Sequence, residues 1–228
     1  MLLSMSEHKR IAEAVAAAEA TTRGEIVCVV VDEVSHYGEV PIAWAAAVTL
    51  LLSPLLIAIA ALVNQFDYTF GGWAIAHIAA THMAVLVALT DYAIFQFLLF
   101  ITIFTVVWIP IVRRRLTPAA LKRDHVRKRA MEHFFARNVQ RTRTQAGILL
   151  FFALKERRAE LIADTAISDK VDPAAWEAII VALIADVRAN TLTEGFITAI
   201  ASCSRLLAMH FPAGSEDINE LPDDVIEA

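Results

Sequence analysis

Two carboxylates and one short polar run stand where apolar runs begin or end. Glu25 opens an apolar run over 26–31, Thr142, Arg143 and Thr144 precede a second that starts after Gly147, and Asp164 follows the strand-like segment 159–163. Converging carboxylates are hard oxygen ligands. Glu25 and Asp164 could therefore hold Ca²⁺ or Mg²⁺ and orient a phosphate or an acidic segment, with Arg143 and Thr144 beside them. The same residues admit a structural alternative, in which Arg143 bridges the two carboxylates and closes the end of a sheet. Other chemistry finds less support. A covalent phosphatase needs an activated nucleophile within a phosphate cradle, whereas Cys203 is followed at once by Ser204 and Arg205 in a helical pattern. Asp164, Asp169 and Asp172 are spaced too widely for an Asp-x-Asp pair, and the chain has no Gly-rich phosphate loop, zinc-like Cys/His set or HExxH helix. His125 and His133 lie two helical turns apart in a basic segment and are expected to be solvated. Asp67, His77, His82 and Asp91 match no compact metal site.

These side chains need elements to position them. Ser4 followed by Glu7 is a capping box, and Ile11, Val15 and Ala18 continue on one helical face until Gly24. The β-branched run 26–31 reads as a strand buried on both faces. Thr117 and Pro118 start a basic helix to about residue 138, with Leu121, Ala130 and Phe134 inward. The apolar run at 148–154 and a further strand at 159–163, separated by Lys155, Glu156, Arg157 and Arg158, predict an antiparallel hairpin. Asp172 and Pro173 cap a helix striped by Trp176, Ile179, Ile180, Leu183 and Ile184, and Thr193 begins a last one carrying Phe196, Ile197, Ile200 and Leu207 inward. From Ala213 the chain has six acids and no bases, and is expected to be an extended, solvated tail. The predicted fold is α/β, with a small mixed sheet. If the first two strands are parallel through a helical crossover, Glu25, Thr142, Arg143, Thr144 and Asp164 converge at one end of that sheet, and Arg157 and Arg158 mark the other.

The crossover itself is unusual. Residues 41–112 contain no Lys or Arg and only two acids, Asp67 and Asp91, while all 20 basic residues lie outside. Uncharged stretches at 41–63 and 92–112 are each long enough to cross a hydrocarbon core about 30 Å thick. They predict a transmembrane hairpin inserted in the domain, joined by an interfacial or re-entrant helix near 71–81, with the second span starting between Met83 and Tyr92. The expected organisation is 1–40, first helix and strand; 41–112, hairpin; 113–212, remainder of the domain; and 213–228, acidic tail. Eight Lys or Arg within 113–129 predict that the soluble domain is cytoplasmic, with the lipid bilayer as a partner. This collar lacks interleaved aromatic residues, so no nucleic-acid partner is expected. Cys28 and Cys203 read as small core residues.

The segments `TTRGEIVCVVV`, `RTRTQAGILLFFALKERRAELIAD`, `GFITAIASCSRLLAMHFP` and `DINELPDDVIE` together resemble a bacterial membrane member of the TPM domain family. The resemblance covers most of 5–31 and 117–227. It implies an α/β/α sandwich, split here by the hairpin, in a multi-pass protein of the bacterial inner (plasma) membrane. Members of that family have been associated with acid phosphatase activity and with binding divalent cations through acidic residues, and others act as accessory subunits of membrane complexes. Glu25 and Asp164 sit in the matching `GEI` and `IAD` motifs. The expected function is an accessory or scaffold role toward a membrane protein partner. A divalent-cation-dependent phosphatase is the alternative.

Overall fold

The computed structural model describes residues 2–64, 77–188, 191–214 and 219–228. It divides into two compact units, one formed by Met1–His36 with Ala119–Ala228 and the other by Tyr37–Pro118.

The first unit is α/β. Helix α1 (Met5–Glu19) starts with both halves of the Ser4/Glu7 capping box in place and leads to strand β1 (Glu25–Val31). After the inserted unit come α5 (Ala119–Ala136), a 3-10 turn (Val139–Arg141), β2 (Gly147–Ala153), β3 (Arg158–Ala163), the short α6 (Thr165–Ser168), α7 (Pro173–Arg188) and α8 (Leu192–His210). The sheet order is β3-β2-β1-β4, where β4 is the two-residue strand Ile226–Glu227, with β1 parallel to β2 and β2 antiparallel to β3. Helices on both faces of the sheet explain why β1 and β2 are buried at every position. Ile26, Cys28 and Val30 face α1, α7 and α8 through Ile11, Val15, Leu183, Phe196 and Leu207. Val27, Val29 and Val31 face α5 through Val126, Ala130 and Phe134. Both cysteines are free and buried, and burial pushes the Cys203 thiol up to about 12.

Two elements depart from expectation. The end of the acidic tail is not solvated as expected: Ile226–Glu227 forms β4, parallel to β1 at Val29 and Val30, and Val225 is buried in the core. On α5, Val126 takes the inward place expected of Leu121, because it is one turn from Ala130 and two from Phe134. His133 is likewise not solvated. It is half-buried against the Phe151 ring, 5.6 Å between centroids, where burial and then the Arg129 and Arg137 charges lower its pKa.

The second unit holds α2 (Glu39–Asn64), α3 (His77–Trp108) and α4 (Pro110–Leu116). Thr117 closes α4 by donating its hydroxyl to the Arg113 carbonyl at 2.7 Å, rather than capping α5. Asp67, residues 71–76 and the side chains of His77 and His82 lie outside the described residues. The described part of the expected interfacial helix, from His77 onward, is instead the first turns of the continuous α3. Among the described residues, three helical stretches are long and apolar enough to cross a membrane: Glu39–Leu56 and Leu86–Trp108 in this unit, and Leu192–His210, which is α8 of the α/β core.

Candidate functional site

Strand register decides which polar groups meet at the sheet end where β1 and β2 begin. Glu25 pairs with Gly147, and the Asp164 amide donates to the Gly147 carbonyl at 2.9 Å, so the three residues form one row across β1, β2 and the end of β3. Neighbouring strands are about 4.8 Å apart, which separates the Glu25 and Asp164 backbones by roughly 10 Å. The space between them is filled. A Cβ at Gly147 would lie 2.3 Å from the Val139 carbonyl oxygen, so the 3-10 turn sits directly on the glycine, between the two carboxylates.

Each carboxylate has its own structural task. Asp164 caps α6, its Oδ1 accepting from the Thr165 amide at 2.6 Å and hydroxyl at 3.2 Å, while its buried Oδ2 has no hydrogen-bond partner. Glu25 is 6% exposed and accepts from the amides of Glu220 and Leu221 at 3.2 and 3.3 Å. Arg143 contributes its backbone amide to the Glu220 carboxylate at 3.2 Å, and Thr144 donates its hydroxyl to the Arg23 carbonyl at 3.0 Å. The acidic tail thus joins Glu25 to Arg143 through backbone donors, in the place where a guanidinium bridge was one expectation.

Glu25 also opens onto a cleft that the sequence did not indicate. Ala16, Glu19, Thr22, Glu25, Asn219 and Asp223 line a cavity of about 340 Å³ between the end of α1, the start of β1 and the tail. Glu19 accepts from the Ile26 amide at 2.8 Å with Oε1, whereas its buried Oε2 has no donor. Burial first, then the charges of Glu25 and Asp223, raises its pKa to about 8, against the opposing Ile26 hydrogen bond. At neutral pH this carboxyl keeps its proton. The cleft is therefore a small acidic basin with a neutral acid on one wall. Among the described residues no three or more His, Cys, Asp or Glu side chains are arranged to hold a metal ion. Glu19 was missed because it ends an amphipathic helix as an ordinary solvent-side residue; Asp223 and Asn219 were missed because the tail read as solvated.

No family model matches the chain, and no curated protein does. Among solved structures, the chain is similar to the NMR structure of BA42 protein from the psychrophilic bacterium Bizionia argentinensis sp. nov.. The TM-score is 0.56 at 17% identity, over 100% of this chain and 97% of that one. At this identity the likeness concerns the fold alone.

Proposed function

We propose that this chain is a multi-pass membrane protein of the TPM type that acts as an accessory or scaffold, presenting a cytoplasmic α/β domain to a membrane protein partner. The observation that carries the membrane reading is the surface of α3. Along Leu86–Trp108 only Val107 is buried, and Leu86, Leu89, Ile94, Phe97, Leu98, Ile101 and Trp108 are among the exposed large apolar residues. Exposed apolar surface of this length and continuity needs an apolar solvent. The seam with α2 supports the same reading: Ala45, Thr49 and Ser53, buried at four-residue intervals, are the small residues that let membrane helices approach. Ser53 and Tyr92 are within hydrogen-bonding distance across that seam, at 3.2 Å. Thr49 and Ser53 also return their hydroxyls to the Ala45 and Thr49 carbonyls, at 2.5 and 2.6 Å, so neither hydroxyl is bare toward lipid. Alkaline extraction of membranes carrying the full chain should leave it in the pellet, and affinity capture after solubilisation should enrich one membrane protein. Release into the supernatant would sink the membrane reading; capture of the chain alone would sink the accessory role.

The acidic cleft favours a second reading, a divalent-cation-dependent phosphatase in which the Glu25 and Asp223 carboxylates hold the cation as a pair, with oxygens of the substrate phosphate as its further ligands and the neutral Glu19 beside them. Phosphate release from a generic aryl phosphate in Ca²⁺ or Mg²⁺, lost in Glu25→Gln and Asp223→Asn variants that still fold, is its test. Equal phosphate release by wild type and variants would remove it.

A further inference from the structure

Gln96 is one residue from the middle of Leu86–Trp108, the apolar stretch of α3. On the membrane reading above, on which this inference rests, that position is the bilayer midplane, where an amide finds no water. Gln96 is half-buried at the wall of a groove of about 370 Å³ between α2 and α3, with Ala46, Thr49, Ala93 and Phe97 around it. Among the described residues its amide has no hydrogen-bond partner. The nearby hydroxyl of Thr49 gives its one proton to the Ala45 carbonyl, so it offers no donor to the amide oxygen of Gln96.

We propose that this groove is the interface of a homodimer in which Gln96 of each copy hydrogen-bonds Gln96 of the other. The occupant is a second copy because a glutamine amide is self-complementary. It offers two donors and a two-lone-pair acceptor on one side chain, and across a two-fold axis two such groups satisfy each other with no further polar residue. A carboxylate or a guanidinium would instead call for a partner of opposite charge. The small side chains of Ala46 and Ala93 beside the amide permit the close backbone approach that polar contacts between membrane helices require. Thr102 and Thr105, the other hydroxyls on the later part of α3, are satisfied by the Leu98 and Ile101 carbonyls at 2.8 and 2.7 Å, so among the described side chains of residues 93–107 Gln96 is the polar one left over.

The experiment is resonance energy transfer between donor- and acceptor-labelled populations of the full chain in phosphatidylcholine/phosphatidylglycerol vesicles over a range of protein-to-lipid ratios. Wild type should titrate as a dimer, Gln96→Leu should dissociate roughly ten-fold more readily, and Gln96→Asn should retain most of the association. Ala93→Leu, which fills the groove and leaves the amide, should weaken it as well. Alkaline extraction of the same vesicles separates the two readings. A protein that resists extraction yet stays monomeric at every ratio, or a dimer indifferent to Gln96→Leu, overturns the interface while leaving the membrane reading intact. A protein released by extraction overturns both.

Discussion

At the scale of single residues, Glu19 is the group whose chemistry differs most from its appearance in the chain. Its folded pKa of about 8 stands above the unfolded value of 4.5 because burial, Glu25 and Asp223 all disfavour the charged form. The folded protein therefore holds a proton that the unfolded chain releases. Stability from this group is fully present below about pH 4.5 and is lost as pH rises toward 8. Glu19→Gln keeps the acceptor for the Ile26 amide and removes the titration. Chemical denaturation of the chain in detergent between pH 5 and 9 should show wild type losing about 2 kcal/mol, discounted for partial exposure, where the variant changes little. A wild-type profile as flat as that of the variant would mean Glu19 is ionised throughout. Of the residues at this end of the sheet, Glu25 and Asp164 were legible from their places at strand ends. Their separate tasks were not, because these depend on Val139 and the tail, which approach from distant parts of the chain.

The tail is the element that most changes how the α/β unit is understood. Six acids and no bases indicate solvation when counted, yet the structure uses two of those acids as acceptors for backbone amides. Glu227 accepts from Leu2 and Leu3 at 2.9 and 2.8 Å, which lowers its pKa, and Glu220 accepts from Arg143. A two-residue strand is also below the length at which any alternation can be read. By contrast β1, β2 and β3, the Ser4 capping box and the α7 stripe were legible, since each announces itself within its own segment. Removal of residues 219–228 takes away the donors to Glu25, the β4 pairing and the cover provided by Leu221, Val225 and Ile226. This truncation should cost about 3–5 kcal/mol in apolar burial alone and abolish the slow hydrogen exchange of the Val30 amide. Unchanged protection along β1 would show the tail to be dispensable to the sheet.

On the membrane reading proposed above, the molecule as a whole must place its α/β unit on one side of the bilayer, and basic residues select that side. Arg113, Arg114 and Arg115 follow Pro110, which opens α4 just after α3 ends at Trp108. The Trp44 indole N–H near the start of α2 donates to the Leu116 carbonyl at 3.1 Å, so the base of the hairpin unit carries indoles and arginines at one level. Indoles belong at the head-group boundary, and basic residues within about 20 residues of a span are retained on the cytoplasmic side. Each basic residue near an anionic leaflet adds about 1 kcal/mol, and residues 113–129 hold eight, against none across 64–91. The three basic residues before the first span favour the same side and add to that asymmetry. A green fluorescent reporter joined after Ala228 should therefore fluoresce, and an alkaline phosphatase reporter at the same place should be inactive. Replacing Arg113, Arg114 and Arg115 together with Gln should move a measurable fraction of the phosphatase fusion to the active side, because it removes the charges nearest the span and leaves the helices apolar. An intact chain whose phosphatase fusion is active, with the fluorescent fusion dark, would reverse the orientation and put the acidic cleft on the outer face.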